Sequence, residues 1–172
     1  MTFTQKEWSL ESLFPAFDSP ELEATYKELD EQVTAFEALR PKLSADMDVE
    51  DFMDMLEASE KSTRLAHKLY AFAGLAFSAD TQDQAAQSAQ ARIEQFYANI
   101  QNRTLFFNLW WKDLDNETAQ RFMDVAEDYR YYLEEIRNFK PHTLSEAEEK
   151  IVNIKNVTGN SALINIYSAI TN

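Results

Sequence analysis

The sequence predicts an all-α fold: a long antiparallel helical bundle of about four main helices, followed by two shorter C-terminal helices. Three observations carry that expectation. Apolar residues recur at alternating steps of three and four over most of the chain, as one face of a helix requires. Only two glycines, Gly74 and Gly159, and four prolines occur in 172 residues, too few for the turns of a many-stranded fold. Hydrophobic content of 45%, with 13% aromatic, is enough to fill a core in a chain of this length.

Residues 1–18 read as an arm, with Trp8, Leu10, Leu13, Phe14 and Phe17 apolar enough to dock on the body. The bundle then occupies residues 19–140. Ser19-Pro20 opens the first helix, because serine accepts from a free first-turn amide and proline at the first position wastes no donor. Leu22, Tyr26, Leu29, Val33 and Phe36 form its inward stripe, and Arg40-Pro41 ends it.

The second helix is expected over residues 48–78 as the most buried element. Phe52, Leu56, Ser59, Thr63, Ala66, Tyr70, Ala73 and Phe77 make one stripe, and Met55, Leu65, Leu69, Phe72 and Ala76 a second beside it. Two adjacent stripes mean contact with more than one neighbour. Residues 80–84 then reverse the chain, with Thr81 and Gln84 fitting a capping box. The third helix carries Ala86, Ala89, Ile93, Phe96, Ile100, Phe107 and Trp110, interrupted by Arg103. The short turn before it requires helices two and three to be antiparallel.

Asp115-Asn116 starts a fourth helix, with Phe122, Val125, Tyr129, Tyr132, Leu133 and Ile136 inward, and Lys140-Pro141 stops it. Residues 141–172 read as the start of a further helical segment. Ser145 and Glu148 form a capping box for a helix with Ile151, Val152 and Ile154. Gly159-Asn160 is expected to break it before a last apolar stretch of Leu163, Ile164, Ile166, Tyr167 and Ile170. The ending at Asn172, with neither charged tail nor cap, reads as a truncation. Residues 151–170 are therefore expected to expose an apolar surface, covered by absent sequence or by a second copy of the chain.

The net charge of −14 is concentrated at the front: residues 1–60 hold 16 acidic and 4 basic side chains, the rest 14 and 12. Such a front repels phosphate backbones, and no Lys/Arg stripe offers a nucleic-acid footprint. No cysteine is present, so disulfide and thiolate chemistry are excluded. No stretch has the ~18–20 apolar residues of a membrane span, and the opening lacks a signal-type apolar region. The expected location is cytoplasmic, and the sequons at Asn102, Asn116 and Asn156 are chance matches.

Candidate chemistry is sparse. A di-iron bundle needs Glu-x-x-His pairs, yet Arg64 stands three before His67 and Phe139 three before His142. His67 reads as a boundary histidine bonded to a neighbouring helix, and His142 as a joint residue whose ring bonds a helix end. The pairs Glu134-Glu135 and Glu148-Glu149 read as solvated surface. No G-x-S-x-G, P-loop or glycine-rich cradle occurs. The run Leu105-Phe106-Phe107-Asn108-Leu109-Trp110-Trp111 is apolar almost all round its helix. Either neighbours within the bundle wrap it, or part of it meets another body. No residue is assigned a catalytic, cofactor-binding or metal-binding role.

The segment YRYYLEEIRNFKPHTLSEAEEK (residues 129–150) combines an aromatic amphipathic helix, a Pro-His break and a capped new helix. It resembles the N-terminal helical region of oligoendopeptidase F, in the thimet-oligopeptidase-like zinc metallopeptidases. Trp8-Ser9-Leu10 with Leu13-Phe14-Pro15 is similar to that family's leading arm, and residues 69–96 to its helical hairpin. The resemblance implies the non-catalytic front of an intracellular enzyme that cleaves short peptides in a channel between helical lobes. In the whole enzyme an H-E-x-x-H helix binds zinc and its glutamate activates water. His67-Lys68 and His142-Thr143 cannot supply that motif. The resemblance therefore implies zinc and the catalytic domain only as the full-length enzyme's cofactor and this chain's partner. A free-standing interaction module and an unrelated helical bundle are the other readings.

Overall fold

The computed structural model describes residues 9–171, and no strand occurs among them. Trp8 and the residues before it lie outside the described residues, so the front of the arm does too. Three long helices come first: α1 (Pro20–Ala38), α2 (Val49–Ala79) and α3 (Gln84–Asp113). They pack pairwise on one another through all three contacts. Two short helices follow, α4 (Asn116–Met123) and α5 (Arg130–Asn138), then α6 (Glu146–Asn156) and α7 (Ala162–Thr171).

Local chemistry sets the boundaries. Ser19 Oγ accepts from the Leu22 amide at 3.2 Å, and Pro20 takes the first position of α1. Asp48, Asp83 and Asp115 cap α2, α3 and α4 in the same way. The expected Thr81–Gln84 capping box does not form. Asp83 accepts from the Ala85 amide at 2.8 Å instead, while Thr81 is buried and its carbonyl accepts from Gln87 Nε2. A carboxylate nearer the first turn displaces the hydroxyl.

The stripe of α1 is buried as expected, from Leu22 to Phe36. That of α2 is kept in part. Phe52 and Leu56 face inward, but further along Ser62, Ala66, Leu69 and Ala73 do, while Thr63 is exposed and Tyr70 is 39% exposed. Of the predicted line, Phe52, Leu56, Ala66, Ala73 and Phe77 are buried and Ser59 is half-buried, so Thr63 and Tyr70 alone lie outside. In α3 Trp111, not Trp110, is the fully buried tryptophan. Arg103 interrupts that stripe to bond α1, donating to Glu37 Oε2 at 2.8 and 2.6 Å and to Thr34 Oγ1 at 2.8 Å.

The expected single fourth helix is broken. A non-helical Ala126 (φ −98, ψ 51) and a short 3-10 turn, Glu127–Tyr129, separate α4 from α5. The bend lets Phe122 and Leu133 both enter the core, which leaves Val125 and Tyr132 outside. The opposite correction applies at Gly159. The helix passes through a π turn, Val157–Ser161, with no residue at positive φ, so α6 continues into α7.

The core has two parts. Around one end gather Phe36, Phe52, Phe107, Trp111, Phe122 and Leu133. Around the other gather Phe14, Leu29, Leu69, Phe72 and Ile93, with Phe14 and Phe17 of the arm against Phe72 at 5.3 and 5.2 Å between ring centroids. Between them lies a waist lined in part by Ser59, Ser62, Thr63 and Thr104. Ser62 and Thr104 return their hydroxyls to their own helices.

Candidate functional surface

α6 is held to the bundle by polar groups. Ser145 and Glu148 form the expected capping box: Glu148 Oε2 accepts from the Ser145 amide at 2.9 Å. The adjacent Glu149 accepts from the Leu144 amide at 3.0 Å, so neither member of that acidic pair is simply solvated surface. Arg40, in the 3-10 turn Arg40–Lys42 that follows α1, grips Glu146 with both terminal guanidinium nitrogens, at 3.1 and 2.8 Å. Hydrogen bonding from Arg40, and then from Lys150, holds the Glu146 carboxyl down to about 2. Asn102 of α3 and Asn153 of α6 pair at 2.9 Å, and Lys112 Nζ reaches Thr143 Oγ1 at 3.0 Å.

α7 is inverted relative to an ordinary surface helix. Ser161, Asn165, Ser168 and Ala169 lie against the bundle, partly buried. Asn165 donates to Glu94 of α3 at 3.1 Å, and Gln82 Nε2 to the Ala169 carbonyl at 3.2 Å. Most of the large apolar side chains point outward: Leu163 is 68% exposed, Ile170 78%, and Ile166 and Tyr167 more than half, while half-exposed Ile164 edges the cavity beneath the helix. Ile151, Val152 and Ile154 of α6 are exposed as well. Monomeric soluble domains rarely present so dense an aliphatic face.

The apolar run at the end of α3 is wrapped by its own neighbours. Phe106 and Phe107 pack on Phe36, and Trp111 on Phe52 and Phe122. The Trp111 indole donates to the Leu133 carbonyl at 2.9 Å, which ties α3 to α5. Arg137 of α5 donates to the carbonyls of Trp111 and Leu114 at 2.9 and 3.0 Å, closing the C-terminus of α3. Leu109 and Trp110, half-buried, line a groove beneath the Thr143-Leu144 joint.

A second groove, of about 220 Å³, runs between α2 and α5, lined by Leu56, Ser59, Glu60, Thr63, Tyr129 and Tyr132. Tyr129 donates to Glu60 at 2.7 Å, and that carboxylate raises the Tyr129 phenol to about 12. The histidines take no part in either groove. His67 is exposed on α2, and its ring has no hydrogen bond among the described residues. His142 is exposed in the 3-10 turn Lys140–His142 and joins the fold only through its backbone amide, donating to Phe139. Both expectations are thus corrected among the described residues: the His67 ring bonds no neighbouring helix and the His142 ring no helix end. No group of three His, Cys, Asp or Glu side chains gathers among the described residues, so their donor set does not fit a zinc centre.

Sequence reasoning missed two buried polar groups on α3. Gln90 is 7% exposed and Glu94 8%. Gln90 stands four after Ala86 and three before Ile93, a spacing that places it inward as well as Ala89 does.

Comparison with known proteins touches the same region. Residues 110–172, from the last turn of α3 through α7, match the family model described as Oligopeptidase F, which covers that family's N-terminal region. The arm and the α2–α3 hairpin lie outside the matched stretch. No curated protein and no solved structure matches the chain.

Proposed function

We propose that this chain is the non-catalytic helical front of an intracellular zinc oligoendopeptidase and forms one wall of the channel in which short peptides are cleaved. The carrying observation is the match of residues 110–172 to the oligopeptidase F model, over the joint and the inverted helix that follows it. The outward aliphatic face of α6 and α7 supports the reading, because a catalytic domain seated there would bury it. The chain's own residues do no chemistry in this scheme. They hold the joint through Arg40, Glu146 and Lys150, present α7, and close off access to the channel. Zinc, carried by the catalytic domain, would supply the activated water. Without that domain, the same face is expected to draw two copies of the chain together.

Hydrolysis of quenched-fluorescent short peptides tests the proposal. The 172-residue chain is expected to show no turnover with added zinc. A polypeptide whose reading frame continues into an H-E-x-x-H helix is expected to show chelator-sensitive turnover. Activity in the short chain, or a frame without that motif, would overturn the proposal and, in the second case, favour a free-standing interaction module.

A further inference from the structure

Beneath α7, between α2 and α3, lies a cavity of about 250 Å³ whose polar groups are unbalanced. Glu94 Oε1 accepts from Gln90 Nε2 at 2.7 Å and from Asn165 Nδ2 at 3.1 Å. Both amides spend donors on the carboxylate. The Gln90 carbonyl oxygen is left buried without a hydrogen-bond partner. No lysine or arginine lines the cavity or pairs with Glu94 among the described residues. Buried carboxylates are ordinarily paired, and buried amide oxygens ordinarily bonded, so two independent deficits of donor and positive charge meet in one place.

The missing side chain at Gly74 leaves a gap beside the Gln90 oxygen. Gly74 of α2 faces the cavity, and a Cβ there would stand 3.7 Å from Gln90 Oε1. One carboxylate with neutral oxygens is a poor set for a divalent metal, which takes several carboxylates or waters. Three N–H donors on a compact charge suit it better. We propose that this cavity binds a primary ammonium group, held by the Glu94 carboxylate and the Gln90 amide oxygen, with its carbon chain against Tyr70, Phe77 and Ile164. The proposal does not rest on the peptidase reading.

Nitrogen–proton correlation spectra of the full chain, followed at the side-chain amides of Gln90 and Asn165, test it. Butylammonium chloride is expected to give saturable shifts. Tetramethylammonium, which has the charge without N–H donors, and sodium chloride at equal ionic strength are expected to give none. Glu94→Gln, with helicity retained by circular dichroism, is expected to bind about tenfold more weakly or worse, as the loss of a charged hydrogen bond implies. A short peptide with a free N-terminus, set against its acetylated form, distinguishes a peptide source from a small amine. Should the variant fail to fold, the comparison of primary with quaternary amine on the unaltered chain still decides. Absence of saturable shifts would mean that water alone satisfies the oxygens and would overturn the proposal. So would equal shifts with tetramethylammonium, or undiminished binding in folded Glu94→Gln.

Discussion

Individual side chains in α2 differ sharply in what their removal should do. Leu56 is fully buried among aromatic neighbours, and Leu56→Ala is expected to cost about 2–5 kcal/mol through lost burial and a residual cavity. Tyr70 was expected inward from the heptad spacing but rests half-exposed on Tyr97, with ring centroids 5.7 Å apart. Tyr70→Ala is expected to cost about 1 kcal/mol, an exposed aromatic pair's worth, and Glu57→Ala under about 0.5 kcal/mol. Denaturant unfolding of the three variants checks the order, and equal losses at Leu56 and Tyr70 would show the face to be misassigned. Trp111→Phe keeps a ring but removes the donor to Leu133, so about 1–3 kcal/mol should be lost with the carbonyl left unpaired.

Whole elements were more legible than their joints. The Ser19-Pro20 start, the α1 stripe and the Ser145–Glu148 box stand as read because each is set by neighbours in sequence. The break at Ala126 and the continuity through Gly159 were not legible. They depend on where Trp111, Phe122 and Leu133 must meet, and on how α6 lies along α3. The spacing of Gln90 on α3 marked it as inward, but the α7 contact that helps enclose Glu94, through Asn165, could not be read from the sequence. The docking of α6 carries its own pH signature. Glu146 falls from an ordinary 4.5 to about 2 in the fold, so the folded chain favours the ionised form. Its contribution is complete above pH 4.5 and disappears as pH falls through 2. Because the pair with Arg40 is partly exposed, the effect is expected to stay under about 1 kcal/mol, and Glu146→Gln should remove that part of the pH dependence. Ser145→Ala should loosen α6 by about 1 kcal/mol through loss of the cap.

At the scale of the molecule, the inverted α7 governs behaviour in solution. Each large aliphatic taken from water is worth about 1.5–3 kcal/mol, so pairing of two chains through Leu163, Ile166 and Ile170 is expected at high concentration. Light scattering should show concentration-dependent association that Ile166→Lys reduces, and a monomer throughout would refute it. The polar waist between the two core clusters has a different consequence. α2 and α3 each run through both clusters, yet the packing that protects one end shares little with the packing that protects the other. Cooperativity should therefore divide within single helices rather than between them. Amide hydrogens near Leu69 and Phe72 belong to an opening unit with the arm, and those near Phe52 and Leu56 to one with α4 and α5. One unbroken helix then exchanges with solvent as two.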